Sequence, residues 1–71
     1  MNPIDQCIGS NFLRLKTNAR ISDERLAELL EVETSDIQSY VNGNKRISAS
    51  QIWALSEILN VSIKEFFEGA A

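Results

Sequence analysis

The sequence has no histidine, one cysteine (Cys7), one proline (Pro3) and three glycines in 71 residues. Without histidine there is no imidazole to act as a general base and no partner for Cys7 in a Cys/His zinc site, and one thiol closes no internal disulfide. Cys7 is therefore expected as a small apolar residue packed on the first helix, and the chain is read as no enzyme, with no metal, no cofactor and no evident small-molecule ligand. Long apolar runs are missing too: uninterrupted stretches reach only a few residues, far short of the ~20 needed to cross a bilayer. The start Met1-Asn2-Pro3-Ile4-Asp5 has neither the basic nor the apolar region of a signal peptide. The expectation is a soluble, cytoplasmic chain with no membrane partner. An excess of positive charge is also absent, since the net charge of −3 argues against a protein that coats nucleic acid through bulk attraction.

What is present is the composition of an ordinary globular protein, 44% hydrophobic and 24% charged. The length admits one domain, spanning 1–71, able to bury roughly 60% of the surface its unfolded chain exposes. Ile8, Phe12, Leu13 and Leu15 keep helical spacing and predict a first helix over 4–18. Ser22 precedes the acidic first turn Asp23-Glu24 of a second helix ending near Leu30, where negative charge favours the helix N-terminus. After a break at Glu31-Val32-Glu33 a third helix opens at Thr34 or Ser35, the latter with Gln38 in capping-box spacing, and stops at Gly43, which suits a left-handed C′ position. Ser48 with Gln51, and Ser62 with Glu65, repeat that spacing for a fourth helix ending near Leu59-Asn60 and a short fifth reaching Gly69. No strand is predicted: the fold class is all-α with five helices.

The break between the second and third helices makes them cross at a large angle. On a helical wheel of the third helix, Thr34, Ser35, Gln38, Ser39 and Asn42 share one arc, and Ile37, Tyr40 and Val41 share the opposite one. The polar arc holds hydroxyls and amides, which can hydrogen-bond to base edges or phosphate oxygens, where an ordinary solvated face would carry Lys and Glu. After Gly43 comes Asn44-Lys45-Arg46, a donor-rich loop able to grip a backbone phosphate. Between Thr34 and Ser50 the only charges are Asp36, Lys45 and Arg46, so this stretch is positive within an acidic chain.

Ile21-Ser22, Leu26-Ala27, Val32, Ile37, Gln38, Tyr40 and Gly43, followed by Arg46-Ile47-Ser48-Ala49-Ser50, resemble the helix-turn-helix domain of the Cro and phage-repressor (XRE-like) transcriptional regulators. With Phe66-Phe67-Glu68-Gly69, the stretch is similar to one bacterial branch of that family, over about 4–69. The resemblance implies a lambda-repressor-like domain, its helix-turn-helix core at 22–43, that binds double-stranded DNA with the third helix in the major groove. It places Thr34, Ser35, Gln38 and Ser39 at positions that contact bases. Asp23, Asn42, Asn44, Lys45 and Arg46 fall at positions facing the DNA backbone. The function so implied is sequence-specific transcriptional regulation as a homodimer on a palindromic operator, because one short helix reads only a few base pairs. Three residues depart from the family pattern: Asp23 stands where relatives carry glutamine, Glu31 where many carry glycine, and Val41 where a glutamate pairs with the basic residue kept here as Lys16. The departures imply repulsion between Asp23 and phosphate, a left-handed Glu31, and loss of the Lys16 ion pair.

Each feature also has a plainer account. The polar arc can be a solvent face and Lys45-Arg46 an ordinary surface loop. Trp53 and the pair Phe66-Phe67 can be core or an apolar patch, with Trp53 the most exposed of the three. A second function class follows from the acidic balance: a repressor-fold protein-interaction module that has lost DNA binding and modulates another regulator. The segment 22–33, which carries a charge of −4, is then its docking surface.

Overall fold

The computed structural model describes residues 3–69 and contains four α-helices and a 3₁₀ helix: α1 (Pro3–Ala19), α2 (Asp23–Leu30), α3 (Thr34–Val41), α4 (Ala49–Leu59) and the 3₁₀ helix Ile63–Phe67. No strand occurs among the described residues. The all-α class stands, and the fifth expected helix is a 3₁₀ turn. Its N-cap, Ser62, donates its N–H to the Glu65 carboxylate, as the capping-box spacing foresaw. At Ser48 the same box is complete, with Ser48 Oγ accepting from Gln51 N–H at 3.2 Å and Gln51 Oε1 accepting from Ser48 N–H at 2.9 Å. The box expected at Ser35 and Gln38 is not formed. α3 opens at Thr34, the earlier of the two expected positions, with Glu33, two residues before Ser35, as N-cap and the Asp36 carboxylate accepting from its N–H at 3.1 Å.

All four α-helices end alike. In each, a residue in the left-handed region donates its N–H three residues back and its successor donates five back, closing the last turn on its orphan carbonyls. The left-handed residues are Arg20 (φ 57°), Glu31 (φ 58°), Gly43 (φ 75°) and Asn60 (φ 56°). The longer bonds are Ile21 to Lys16, Val32 to Ala27, Asn44 to Ser39 and Val61 to Ser56. Three of these endings lead directly into the next helix through the same tripeptide pattern. Arg20-Ile21-Ser22, Glu31-Val32-Glu33 and Asn60-Val61-Ser62 each supply a left-handed residue, an apolar residue packed against the core, and an N-cap in extended conformation.

α1 is the organising element, packing against α3, α4 and the 3₁₀ helix, while α2 packs on α3. Its buried stripe is Ile8, Phe12 and Leu15, one or two turns apart, whereas Leu13 faces outward. Phe12, Phe66, Leu26, Ile37 and Leu55 are fully enclosed at the centre. The Phe66-Phe67 pair divides, with Phe66 in the core and Phe67 40% exposed; Trp53 is 58% exposed. Cys7 is half-buried on α1, its Sγ 3.2 Å from the Glu68 carbonyl. Asn11 donates from Nδ2 to the carbonyls of both Phe66 and Glu68 at 2.9 Å, tying α1 to the far end of the fold. α1 also crosses the end of α3 without a side chain between them: a Cβ on Gly9 would lie 2.4 Å from the Tyr40 carbonyl oxygen and 2.6 Å from that of Val41. No helix among the described residues is long and apolar enough to cross a membrane.

Candidate nucleic-acid interface

The orientation of α3 follows from its apolar face. Ile37 and Tyr40 are buried, and the Tyr40 hydroxyl accepts from Gln51 Nε2 at 3.1 Å, fixing α3 against α4 as well as α1. Thr34, Ser35 and Gln38 are therefore turned to solvent. Ser39 is half-buried, with its hydroxyl directed at the Ser35 carbonyl at 3.4 Å. Asn42 is the exposed C-cap of α3, its N–H bonded to Gln38 O at 3.0 Å. Asn44, Lys45 and Arg46 are exposed in the loop beyond, whose path is set by Asn44 and Lys45 both donating their N–H to the Ser39 carbonyl. The four exposed side chains of the arc, the half-buried Ser39 and the donor loop are thus brought together by α3 and its C-terminal turn.

Asp23 connects this surface to α2. Its carboxylate accepts from Gln38 Nε2 at 2.8 Å and lies 2.8 Å from Lys16 Nζ, so the start of α2, the middle of α3 and the end of α1 share one half-buried polar junction. The hydrogen bond from Lys16 and then that from Gln38 hold the Asp23 carboxyl below the usual carboxylate range, against the opposing effect of burial. Lys16 has accordingly not lost its ion pair: with Val41 in place of an acid, it pairs with Asp23 on the neighbouring helix. The left-handed Glu31 is found as foreseen.

The loop cations also have protein partners. Lys45 Nζ is 2.9 Å from Asp36 Oδ1 and 5.9 Å from the Tyr40 ring centroid. Arg46 Nε lies 3.2 and 3.4 Å from the two oxygens of Asp5. Asp36 is held below the ordinary carboxylate range by Lys45 and by the Glu33 N–H, and Lys45 is raised in turn by Asp36. Asp5 and Asp36 are members of this surface that reading the sequence did not single out, and Lys16 enters it through a partner other than the one expected. The partners of Asp5, Asp36 and Lys16 lie 41, 9 and 7 residues away, each beyond the end of the element that carries the first residue, so that no period within one element marks them.

A family model described as "Helix-turn-helix" matches residues 13–66. An uncharacterized HTH-type transcriptional regulator of Sinorhizobium medicae (strain WSM419) is 41% identical over 69 residues, covering 97% of this chain and 50% of its own. One from Rickettsia conorii (strain ATCC VR-613 / Malish 7) is 33% identical over 66 residues, covering 93% of this chain and 53% of its own. An uncharacterized transcriptional regulator in the ATPase CF(0) region of Rhodospirillum rubrum is 33% identical over 64 residues, with 90% and 59% covered. The chain spans about half the length of the curated relatives it matches. No solved structure matches it significantly.

Proposed function

We propose that this chain, which belongs to the Cro/phage-repressor (XRE-like) helix-turn-helix family of transcriptional regulators, reads a palindromic operator as a homodimer in the cytoplasm. The observation that carries the reading is the solvent-facing arc of α3, free of charge and flanked by the cationic loop 44–46 on one side and the start of α2 on the other. With α3 in the major groove, Thr34, Ser35, Gln38 and Ser39 reach base edges; Ser39 does so by turning its hydroxyl away from the Ser35 carbonyl. Asn42, Asn44, Lys45 and Arg46 meet phosphate oxygens. Asp23 meets the backbone only as part of its junction, with Lys16 offsetting its charge and the first N–H groups of α2 open to a phosphate. Two copies spaced ~34 Å apart read two half-sites, which multiplies the discrimination available to one eight-residue helix. Bound protein blocks or recruits the transcription machinery; the reading is of a binding protein with one helix-turn-helix domain, not of an enzyme.

The test is selection of bound duplexes from a random DNA pool at low salt. Enrichment of one two-fold symmetric sequence supports the reading, and Ser35→Ala with Gln38→Ala then shifts the enriched sequence while Lys45→Ala and Arg46→Ala weaken all sequences alike. Absence of any enriched sequence sinks it in favour of the protein-interaction module. The observation on the side of that second reading is the acidic run of α2 and its turn, where Glu24, Glu28, Glu31 and Glu33 are all exposed.

A further inference from the structure

Lys45 and Arg46 are the cations that the DNA reading assigns to phosphates, yet each already faces a carboxylate within the chain. The two pairs are built alike, with a largely enclosed acid and an exposed base. Asp36 is held in the first turn of α3, its Oδ2 accepting from the Glu33 N–H at 3.1 Å while Oδ1 takes Lys45. The Asp5 side chain, in the first turn of α1, is only 15% exposed, against 69% for Arg46. A carboxylate offers two oxygens sharing one negative charge, as does the phosphodiester of DNA. Each acid therefore holds its cation in the way a phosphate oxygen would.

We propose that Asp5 and Asp36 are internal phosphate surrogates that hold the gripping loop in a neutral state and set the strength and salt dependence of duplex binding. The inference rests on the DNA-binding reading. On contact with a duplex, Lys45 leaves Asp36 for a phosphate oxygen and Arg46 leaves Asp5 likewise. An unpaired cation meeting a phosphate releases about 0.9 of a condensed counterion. A cation drawn from a carboxylate leaves a negative charge behind, which recruits a cation from solution and cancels much of that release. The natural chain thus binds with a shallow salt slope, and its loop contributes less affinity than two free cations do. Because exposed ion pairs are weak, the exchange is open to any phosphate that approaches in the right geometry.

The experiment is a salt titration of binding to a labelled mixed-sequence DNA duplex by fluorescence anisotropy. Asp36→Asn and Asp5→Asn each free one cation; the amide introduced by Asp36→Asn keeps an oxygen to accept the Glu33 N–H, and thermal melting confirms the fold. Each should bind roughly three- to tenfold more tightly at low salt and steepen the log–log salt slope by up to about 0.9, with the double variant near twice that. Glu57→Gln removes an equal charge from α4, where Glu57 makes no ion pair among the described residues, and should leave the slope nearly unchanged. In a Lys45→Ala background Asp36→Asn should have no further effect on the slope. Asp→Asn variants that bind as the natural chain does, or that steepen the slope equally in the Lys45→Ala background, overturn the proposal, as does a Glu57→Gln effect of the same size. If Lys45→Ala and Arg46→Ala weaken binding but the Asp→Asn variants do not alter it, the surrogate role alone falls. If no variant binds the duplex, the DNA-binding reading falls and takes this inference with it.

Discussion

Gly9 and Asp23 show how much a single position can hold in so small a fold. At Gly9 the backbones of α1 and α3 meet directly, and any Cβ must push against two carbonyl oxygens that cannot rotate away. Gly9→Ala should therefore destabilise the domain by about 2 kcal/mol or more, although alanine favours helices. Ser10→Ala, one residue on and exposed, should stay within about 0.5 kcal/mol. Chemical denaturation of the two variants checks this, and equal midpoints would mean that α1 and α3 are not in contact there. Asp23 acts through charge. Lys16, and after it Gln38, lower its folded pKa, so the native state holds the Asp23 proton more weakly than the unfolded chain does. The stabilisation is fully present above the unfolded carboxylate value of ~4 and drains as pH falls through that value toward the lower folded one. Asp23→Asn should cost about 1 kcal/mol near neutral pH, with the difference from the natural chain closing below pH ~4. A difference that does not vary with pH would show that the carboxylate charge contributes nothing.

Helix ends carry most of what the sequence leaves readable and much of what it hides. The N-cap at Ser22, the boxes at Ser48 and Ser62 and the left-handed Gly43 are local chemistry, and each is found where residue type and spacing place it. The inward turn of Ile37 and Tyr40 follows from helical period alone, which is why the exposed arc of α3 is legible in the sequence. The start of α3 is less legible because its register is set from upstream: Val32 packs against the core after the left-handed Glu31, leaving a single residue, Glu33, to cap the next helix. The carboxylate pairs of the loop and the Lys16–Asp23 contact are hidden for another reason, since each joins separate elements and exists only once these have packed. The repeated ending offers its own test. Glu31 and Asn60 have nearly the same left-handed backbone, but asparagine tolerates it better than glutamate does. Glu31→Gly should raise stability by about 0.5–1 kcal/mol and Asn60→Gly by less, as read from thermal melts; a larger gain at Asn60 would contradict a backbone origin.

At the scale of the whole molecule, stability and the candidate interface hang on the same contacts. Tyr40 is buried against the core and joined to Gln51 through its hydroxyl, while its ring lies beneath Lys45. Tyr40→Ala should lower stability by about 3 kcal/mol, against less than about 0.5 kcal/mol for Ser39→Ala on the same helix. Tyr40→Phe should keep most of that stability and cost about 1 kcal/mol through the lost bond to Gln51. Equal melting shifts for Tyr40→Ala and Ser39→Ala would mean that α3 is rotated from the position described. The tie from Asn11 to the carbonyls of Phe66 and Glu68 reaches across 55 and 57 residues. During translation α1 leaves the ribosome before α3, α4 and the 3₁₀ helix, and its apolar stripe is not fully covered until the last of these has followed it through the exit tunnel. The nascent chain must carry Ile8, Phe12 and Leu15 partly in the open while more than fifty further residues are added, so α1 is complete long before the last of its shelter arrives.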